Sequence, residues 1–336
     1  MTVQYVLVGN YGVGNFGDEA LREYFLSAFP EANFLVLSAH PREGELPRLP
    51  AGIRSFFLTR WWRTLAALWK SDGLVFGGGT LFTDIESLRA PLLWWWHAFV
   101  CRLLRKPYLL AFQGIGPFKG GVGPTSRFAL RGAGEWCARF AVAHAAFVSV
   151  RDQASFDRVK LWKKNTNIIQ TADPVFSLFT AQKRDGSSQK LLVIIPRKNS
   201  RFSFTERAGQ LMKSGTWNEA CILSLQPEDA QEQEVCRSIA HVLSVSDSAI
   251  VPIRFIADLA AQVSRAGFVL SQRYHGALAA LALEVPFEVV SQGEGDKLSS
   301  VSKMPFAAAL ALVSEGERQL RSALFPELSE SGKIQS

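Results

Sequence analysis

The stretch that decides the fold is VQYVLVGNYGVGNFGDEA, residues 3–20. Residues 3–9 form a short apolar run without alternation. That pattern predicts a strand buried on both faces, as in a parallel sheet. A glycine-rich turn follows at once. Beyond it Ala20, Leu21, Tyr24, Phe25 and Ala28 fall at helical spacing, which predicts a helix over 18–28. Buried strand, glycine turn and amphipathic helix together make the opening unit of a doubly wound α/β sheet.

The rhythm repeats outward from there. Strands are expected at 34–37, 73–76, 108–112 and 146–150, and helices at 91–104 and 126–141. The polar stretch 181–190 reads as a linker. After it the alternation restarts, with strands at 191–195, 220–225, 249–252, 268–270 and 287–290. Helices fit 227–243, 256–264, 276–283 and 305–313. The expected fold class is α/β, with two Rossmann-like doubly wound domains facing a cleft. The expected division is 1–180 for the N-terminal domain, 181–325 for the C-terminal domain and 326–336 for a polar tail. No internal repeat of 20–50 residues is visible.

Composition fits that reading. The chain has 336 residues, 48% hydrophobic and 20% charged, which describes a globular protein with two full cores. The net charge of +7 is compatible with an ordinary basic surface, an anionic small substrate or an anionic membrane surface. Nucleic acid is not expected, because the basic residues are scattered and no reader motif is present. Cys101, Cys137, Cys221 and Cys236 have neither CxxC spacing nor clustered histidines, so reduced buried thiols and no metal site are expected. The N-terminus does not read as a signal peptide, and the apolar stretch 90–101 is too short to cross a bilayer. The expected location is the cytoplasm, with the inner membrane face as a peripheral alternative.

In an open parallel sheet a ligand sits beyond the carboxyl ends of the strands, and the unusual loops all fall there. In the first loop, Gly12, Gly14 and Gly17 fit GxGxxG, a weak dinucleotide signal alone, and Asp18 and Glu19 oppose a pyrophosphate there. Asp18 caps the helix, or Asn15 and Asp18 meet sugar hydroxyls or a moving proton. Gly77-Gly78-Gly79-Thr80, with Asp84, reads either as a tight turn or as close backbone approach to a ligand. Gln113-Gly114-Ile115-Gly116-Pro117 reads first as a structural turn. Arg151, in Ser149-Val150-Arg151-Asp152, either pairs with Asp152 or Asp173 or grips a carboxylate or phosphate with its planar fork. In Ser271-Gln272-Arg273-Tyr274-His275-Gly276, the side chains of Arg273 and His275 and the amides of Tyr274 and His275 would face one anion at a helix start. Lys297 is either solvated or reaches that same anion. Trp61, Trp62 and Trp94–Trp96 are core, or contacts to a bilayer surface if they stand exposed beside Arg60, Arg63, Lys70 or Arg102.

Seven pieces occur in order from Gly9 to Lys297: GNYGVGNFGDEA, GGGTLFTD, QGIGP, SVRD, TADPVF, SQRYHG and the later Asp296-Lys297. With them the sequence resembles the polysaccharide pyruvyl transferase family; SVRD followed by a distant RxHG is the specific pair. The resemblance implies a fold similar to the two-domain glycosyltransferases. It implies transfer of the pyruvyl group of phosphoenolpyruvate to sugar hydroxyls as a ketal, on a saccharide acceptor that is free or lipid-linked. It implies no metal or nicotinamide cofactor; phosphoenolpyruvate is a co-substrate. Arg151, Arg273, His275 and Lys297 would be the donor-binding and catalytic set. Tyr274 departs from the aliphatic residue common there. Two rivals stay open: a nucleotide-sugar glycosyltransferase of the same architecture, and a non-catalytic sugar- or anion-binding module.

Overall fold

Strand β1 (Val3–Val8) is buried over its last four residues, as the unalternating run predicts. A computed structural model describes residues 3–50, 52–85, 87–119, 132–162, 167–182, 190–291 and 298–326. The other strands of the first sheet are β2 (Ala32–Ser38), β3 (Leu46–Pro47), β4 (Gly73–Phe82), β5 (Tyr108–Ile115), β6 (Phe147–Val150) and β7 (Ile168–Gln170). They run in the order β3-β2-β1-β4-β5-β6-β7, every pair parallel. The helices that precede the second sheet in the chain are α1 (Phe16–Ala28), α2 (Ile53–Leu58), α3 (Trp61–Lys70), α4 (Arg89–Leu103), α5 (Ala133–His144), α6 (Gln153–Trp162) and α7 (Val175–Thr180), the last of which packs on the helices Ile256–Ser264 and Tyr274–Ala282.

The second sheet joins β8 (Leu191–Ile195), β9 (Glu219–Ser224), β10 (Ile250–Pro252), β11 (Phe268–Ser271) and β12 (Phe287–Val289). Its order is β10-β9-β8-β11-β12, again all parallel. Helices α8 (Phe202–Lys213), α9 (Ala230–Leu243), α10 (Ile256–Ser264), α11 (Tyr274–Ala282), α12 (Leu298–Ser302) and α13 (Phe306–Leu324) complete the chain. All five residues of β8 are buried, which is why this strand reads as a pure Leu/Val/Ile run.

The chain divides into two compact units. One takes Met1–Gly14, Leu21–Pro174 and Leu312–Ser336; the other takes Asn15–Ala20 and Val175–Ala311. Each has its own core: Val6, Phe76, Leu110 and Val148 in the first, and Leu192, Ile194, Ile222 and Leu270 in the second.

Several local expectations change. The glycines of GGGTLFTD lie inside β4, which runs on to Phe82, rather than in a loop after a strand ending at 76. The strand accommodates them because a side chain at Gly77 would overlap the Tyr11 hydroxyl, whose O–H donates to the Gly77 carbonyl at 2.9 Å. The start of α1 is capped by Asn15, whose Oδ1 accepts the Gly17 N–H at 3.2 Å, so Asp18 is not the cap. Helix α9 begins at Ala230 rather than 227, because the Asp229 carboxylate accepts the N–H groups of Gln231 and Glu232. The last helix runs past 313 to Leu324, carrying Leu320 and Leu324 fully buried.

Candidate active site

The order of the second sheet reverses between β8 and β11, the point where a doubly wound sheet opens a crevice for ligands. In the register Ile195 pairs with Ser271. Arg197 and Arg273 each stand two residues beyond that pair, so two adjacent parallel strands carry two arginines past the same edge. Hydrogen bonds lock the two loops together. Gln272 N–H donates to the Ile195 carbonyl at 2.9 Å, Ser200 Oγ bonds Gln272 Oε1, and Arg197 N–H donates to Ser200 Oγ at 3.0 Å. Ser271 Oγ accepts the Arg273 N–H at 3.1 Å and donates to its carbonyl at 2.8 Å, closing the turn into α11.

A cavity of about 180 Å³ opens at this edge, lined by Arg197, Leu225, Gln272, Arg273, Tyr274, His275 and, from the start of α1, Asn15, Phe16 and Gly17. All belong to the second unit. His275 is the second residue of α11, so it sits where the first amides of the helix have no intrahelical acceptor. Its ring meets Phe16 edge-on at 6.2 Å between centroids and Tyr274 at 5.3 Å. A β-carbon at Gly17 would fall 2.2 Å from His275 Cε1, so only glycine lets the imidazole approach the first turn of α1. Asp18 is the next residue along that turn.

The charges divide unequally. Arg273 ion-pairs with buried Glu232 and donates to Gln226 Oε1 at 2.9 Å. Glu232 is held in turn by Ser224 Oγ at 3.1 Å and the Gln226 N–H at 2.7 Å. Burial, with the neighbouring Arg197 charge, pulls the Arg273 pKa down to about 10, which still leaves it protonated at neutral pH. Arg197 has no ion-pair partner among the described residues. Among the described residues, the arginine of this cavity that is left without an ion-pair partner is therefore Arg197 rather than Arg273.

Arg197 and Glu232 were not singled out from the sequence. Arg197 carried the same signal as Arg151, an arginine just past a buried strand. Glu232 had none, because its partner lies 41 residues away in the chain.

The first unit holds the other expected residues. Arg151 follows β6, is buried, ion-pairs with Asp173 and donates to Thr80 Oγ1 at 3.2 Å. Asp152 caps α6 through the Ser155 N–H at 2.8 Å. Gly78 has φ +81°, and a β-carbon there would meet Leu21 Cδ2 at 2.9 Å, so its close approach is to the unit's own core. Gly79 has φ +86° beside the register shift of β4. Asp84 is buried, accepts the Lys119 N–H at 2.6 Å and abuts Gly134. Lys297 lies outside the described residues, as do 183–189 of the expected linker and 327–336 of the expected tail.

Among solved structures the chain is similar to a UDP-N-acetylglucosamine 2-epimerase at 12% identity and TM-score 0.53, covering 98% of this chain and 97% of that one. It is similar to MnaA of S. aureus, solved with UDP, at 11% identity and TM-score 0.50, covering 93% and 88%. It is also similar to HepE of Anabaena, solved with UDP and glucose, at 10% identity and TM-score 0.50, covering 99% and 100%. At these identities the likeness shows the fold, a glycosyltransferase-B-like pair of Rossmann-type sheets. No curated protein sequence matches at a significant level. The profile of the family described as "Polysaccharide pyruvyl transferase" matches residues 15–293, which span both the SVRD loop and the Arg273–His275 corner. The chain is a transferase and belongs to the polysaccharide pyruvyl transferase family.

Proposed function

We propose that this protein moves the pyruvyl group of phosphoenolpyruvate onto two hydroxyls of a sugar, forming a ketal on a cell-surface polysaccharide or its precursor, free or lipid-linked. The observation that carries the reading is the Arg197–Arg273–His275 corner, where the positive end of α11 and an arginine without an ion-pair partner among the described residues meet a cavity beside an imidazole. A phosphate or carboxylate is the ligand such a corner favours. Two arms of the enol ester need neutralising, and Arg197 with the helix start serves one. Arg273, already matched by Glu232, positions the turn and donates hydrogen bonds. For Arg151 and Lys297 the proposal rests on the family resemblance: each neutralises donor charge.

The chemistry balances as follows. A proton adds to the methylene carbon of the donor, which becomes a methyl group, and C2 takes on cationic character. A sugar hydroxyl attacks C2 and loses its proton. The bond from C2 to the phosphate oxygen breaks, and a second hydroxyl closes on C2 with loss of its proton. Of the two hydroxyl protons, one balances the methyl group and the other leaves on inorganic phosphate. His275 serves as the acid–base group, the imidazole being the side chain that exchanges protons nearest neutral pH. Asp18, adjacent to the Gly17 on which that ring packs, serves to activate the attacking hydroxyl. Asn15 and Tyr274 line the cavity as contacts for sugar or donor. The proposed place of action is the cytoplasm, the four cysteines standing as separate buried thiols.

The test is phosphate release from phosphoenolpyruvate with a panel of saccharide acceptors, followed by product mass. A product carrying the pyruvyl ketal is expected, and His275→Ala should lower the rate by at least ~10²-fold. Stabilisation by UDP- or GDP-sugars in a thermal-shift assay, with none by phosphoenolpyruvate, would overturn the donor assignment. Full activity of His275→Ala would overturn its role.

A further inference from the structure

The first unit carries a surface to which the proposed reaction assigns no residue. Helix α2 buries none of its residues, although its sequence is Ile-Arg-Ser-Phe-Phe-Leu. Ile53, Phe57 and Leu58 are 80%, 77% and 81% exposed. Helix α3 turns Thr64 and Leu68 inward and leaves Trp62 and Trp69, seven residues apart on one face, 57% and 63% exposed. Ile53 and Phe57 of α2 and Trp61 and Leu65 of α3 open onto a groove of about 500 Å³ lined by apolar residues, with Phe56, Trp96 and Leu103 beside them. Trp96 also keeps a buried indole N–H with no acceptor among the described residues. Isolated exposed hydrophobics are ordinary, but a contiguous set around an apolar groove marks a surface that is covered in use.

The charge around it is of one sign. Arg54, Arg60, Arg63 and Lys70 are interleaved with the apolar residues, and Arg102 and Arg105 flank the groove at the end of α4. None of these six has an ion-pair partner among the described residues. No acidic residue occurs between Glu45 and Asp72, or between Glu86 and Glu135. Tryptophan, phenylalanine and leucine interleaved with unpaired arginine are the chemistry of a lipid–water interface: rings and aliphatic chains enter the acyl boundary while guanidinium groups meet phosphate. A water-soluble protein partner would need a dense acidic rim around an apolar ridge. An anionic bilayer supplies both halves at once.

We propose that α2 and α3 dock the protein on an anionic lipid bilayer, with Ile53, Phe57, Leu58 and Trp62 entering the interface and the apolar groove receiving part of a lipid tail. This stands independently of the proposed reaction, since it rests on the surface of the first unit alone.

The test uses the full chain and flotation with two kinds of vesicle, phosphatidylcholine alone and phosphatidylcholine mixed with phosphatidylglycerol. Binding to the mixed vesicles is expected to exceed binding to neutral ones by at least ~10-fold and to weaken as salt rises. The double variant Phe57→Ser with Leu58→Ser should lose ~10-fold or more of the binding at both compositions. The double variant Arg60→Glu with Arg63→Glu should lose the preference for anionic vesicles. Both pairs are exposed, so thermal melting and phosphate release from soluble acceptors should match wild type. Absence of flotation by the wild type, or variants that float as it does, would overturn the proposal. So would a dimer in light scattering that the Phe57/Leu58 variant dissolves, because the surface would then belong to a second copy of the chain.

Discussion

Among the described residues Arg197 has no ion-pair partner, whereas Arg273 has Glu232. Removing the charge from Arg197 therefore takes away the cavity's net attraction for an anion, while removing Arg273 strands a buried carboxylate and damages the turn. Arg197→Ala is expected to raise the KM for phosphoenolpyruvate by ~10-fold or more with little change in melting temperature, the scale of a charge-assisted hydrogen bond. Steady-state kinetics with a thermal melt checks this. A second residue, His97, reports on stability rather than on the site. It is fully buried; Nε2 accepts the Leu49 N–H at 3.1 Å and Nδ1 donates to the Leu93 carbonyl at 2.8 Å. Burial pushes its pKa down from 6.5 to about 4, against the opposing pull of the Leu93 carbonyl. The unfolded chain thus takes a proton below about pH 6.5 that the folded chain refuses. The stability tied to this site is full above pH 6.5 and drains as the pH falls, by roughly 3 kcal/mol at pH 4. His97→Gln should flatten the dependence of unfolding free energy on pH over that window in urea titrations, whatever it does to stability at pH 7.

Among the elements, α13 shows how a helix is extended by packing rather than by propensity. Residues 314–324 include Gly316 and a run of charge, so periodicity alone suggests a stop near 313. The helix continues because its far half is tied to the first unit. Tyr24 Oη bonds Glu317 at 3.1 Å, Arg321 donates to the Ala28 carbonyl at 2.7 Å, and Leu320 and Leu324 are fully buried. Gly316 fits against Thr171 and Phe112, where a β-carbon would come within 2.5 Å of the threonine methyl. Leu320→Ala should destabilise the protein by about 2–5 kcal/mol, as buried leucine truncations do. Chemical denaturation followed by tryptophan fluorescence measures it, and a change under about 1 kcal/mol would mean that this half of α13 does not anchor there. Two other boundaries were easier to read. The start of α10 at Ile256 follows from its amphipathic spacing, and the end of α1 at Ala28 from Pro30 two residues later.

For the whole molecule, the sequence by itself determined the class of fold. Strands buried on both faces are built mainly from apolar residues without alternation, so β1, β5 and β8 announce a parallel sheet before any coordinate is known. It also determined the family, through SVRD and the distant RxHG, and the corner where Arg273 and His275 start α11. What it did not determine was which cation is free to act. That depends on a carboxylate 41 residues upstream reaching Arg273 and on β8 lying beside β11, so that Arg197 arrives at the same edge. Nor did it determine that Gly77 and Gly78 of β4 pack against Tyr11 and Leu21, or that α2 and α3 leave Phe57, Leu58, Trp62 and Trp69 exposed. Each of these turns on partners distant in sequence. Backbone periodicity is a local property and survives in the one-dimensional chain, whereas the neutralisation of a charge and the covering of a surface exist only once the chain has closed on itself.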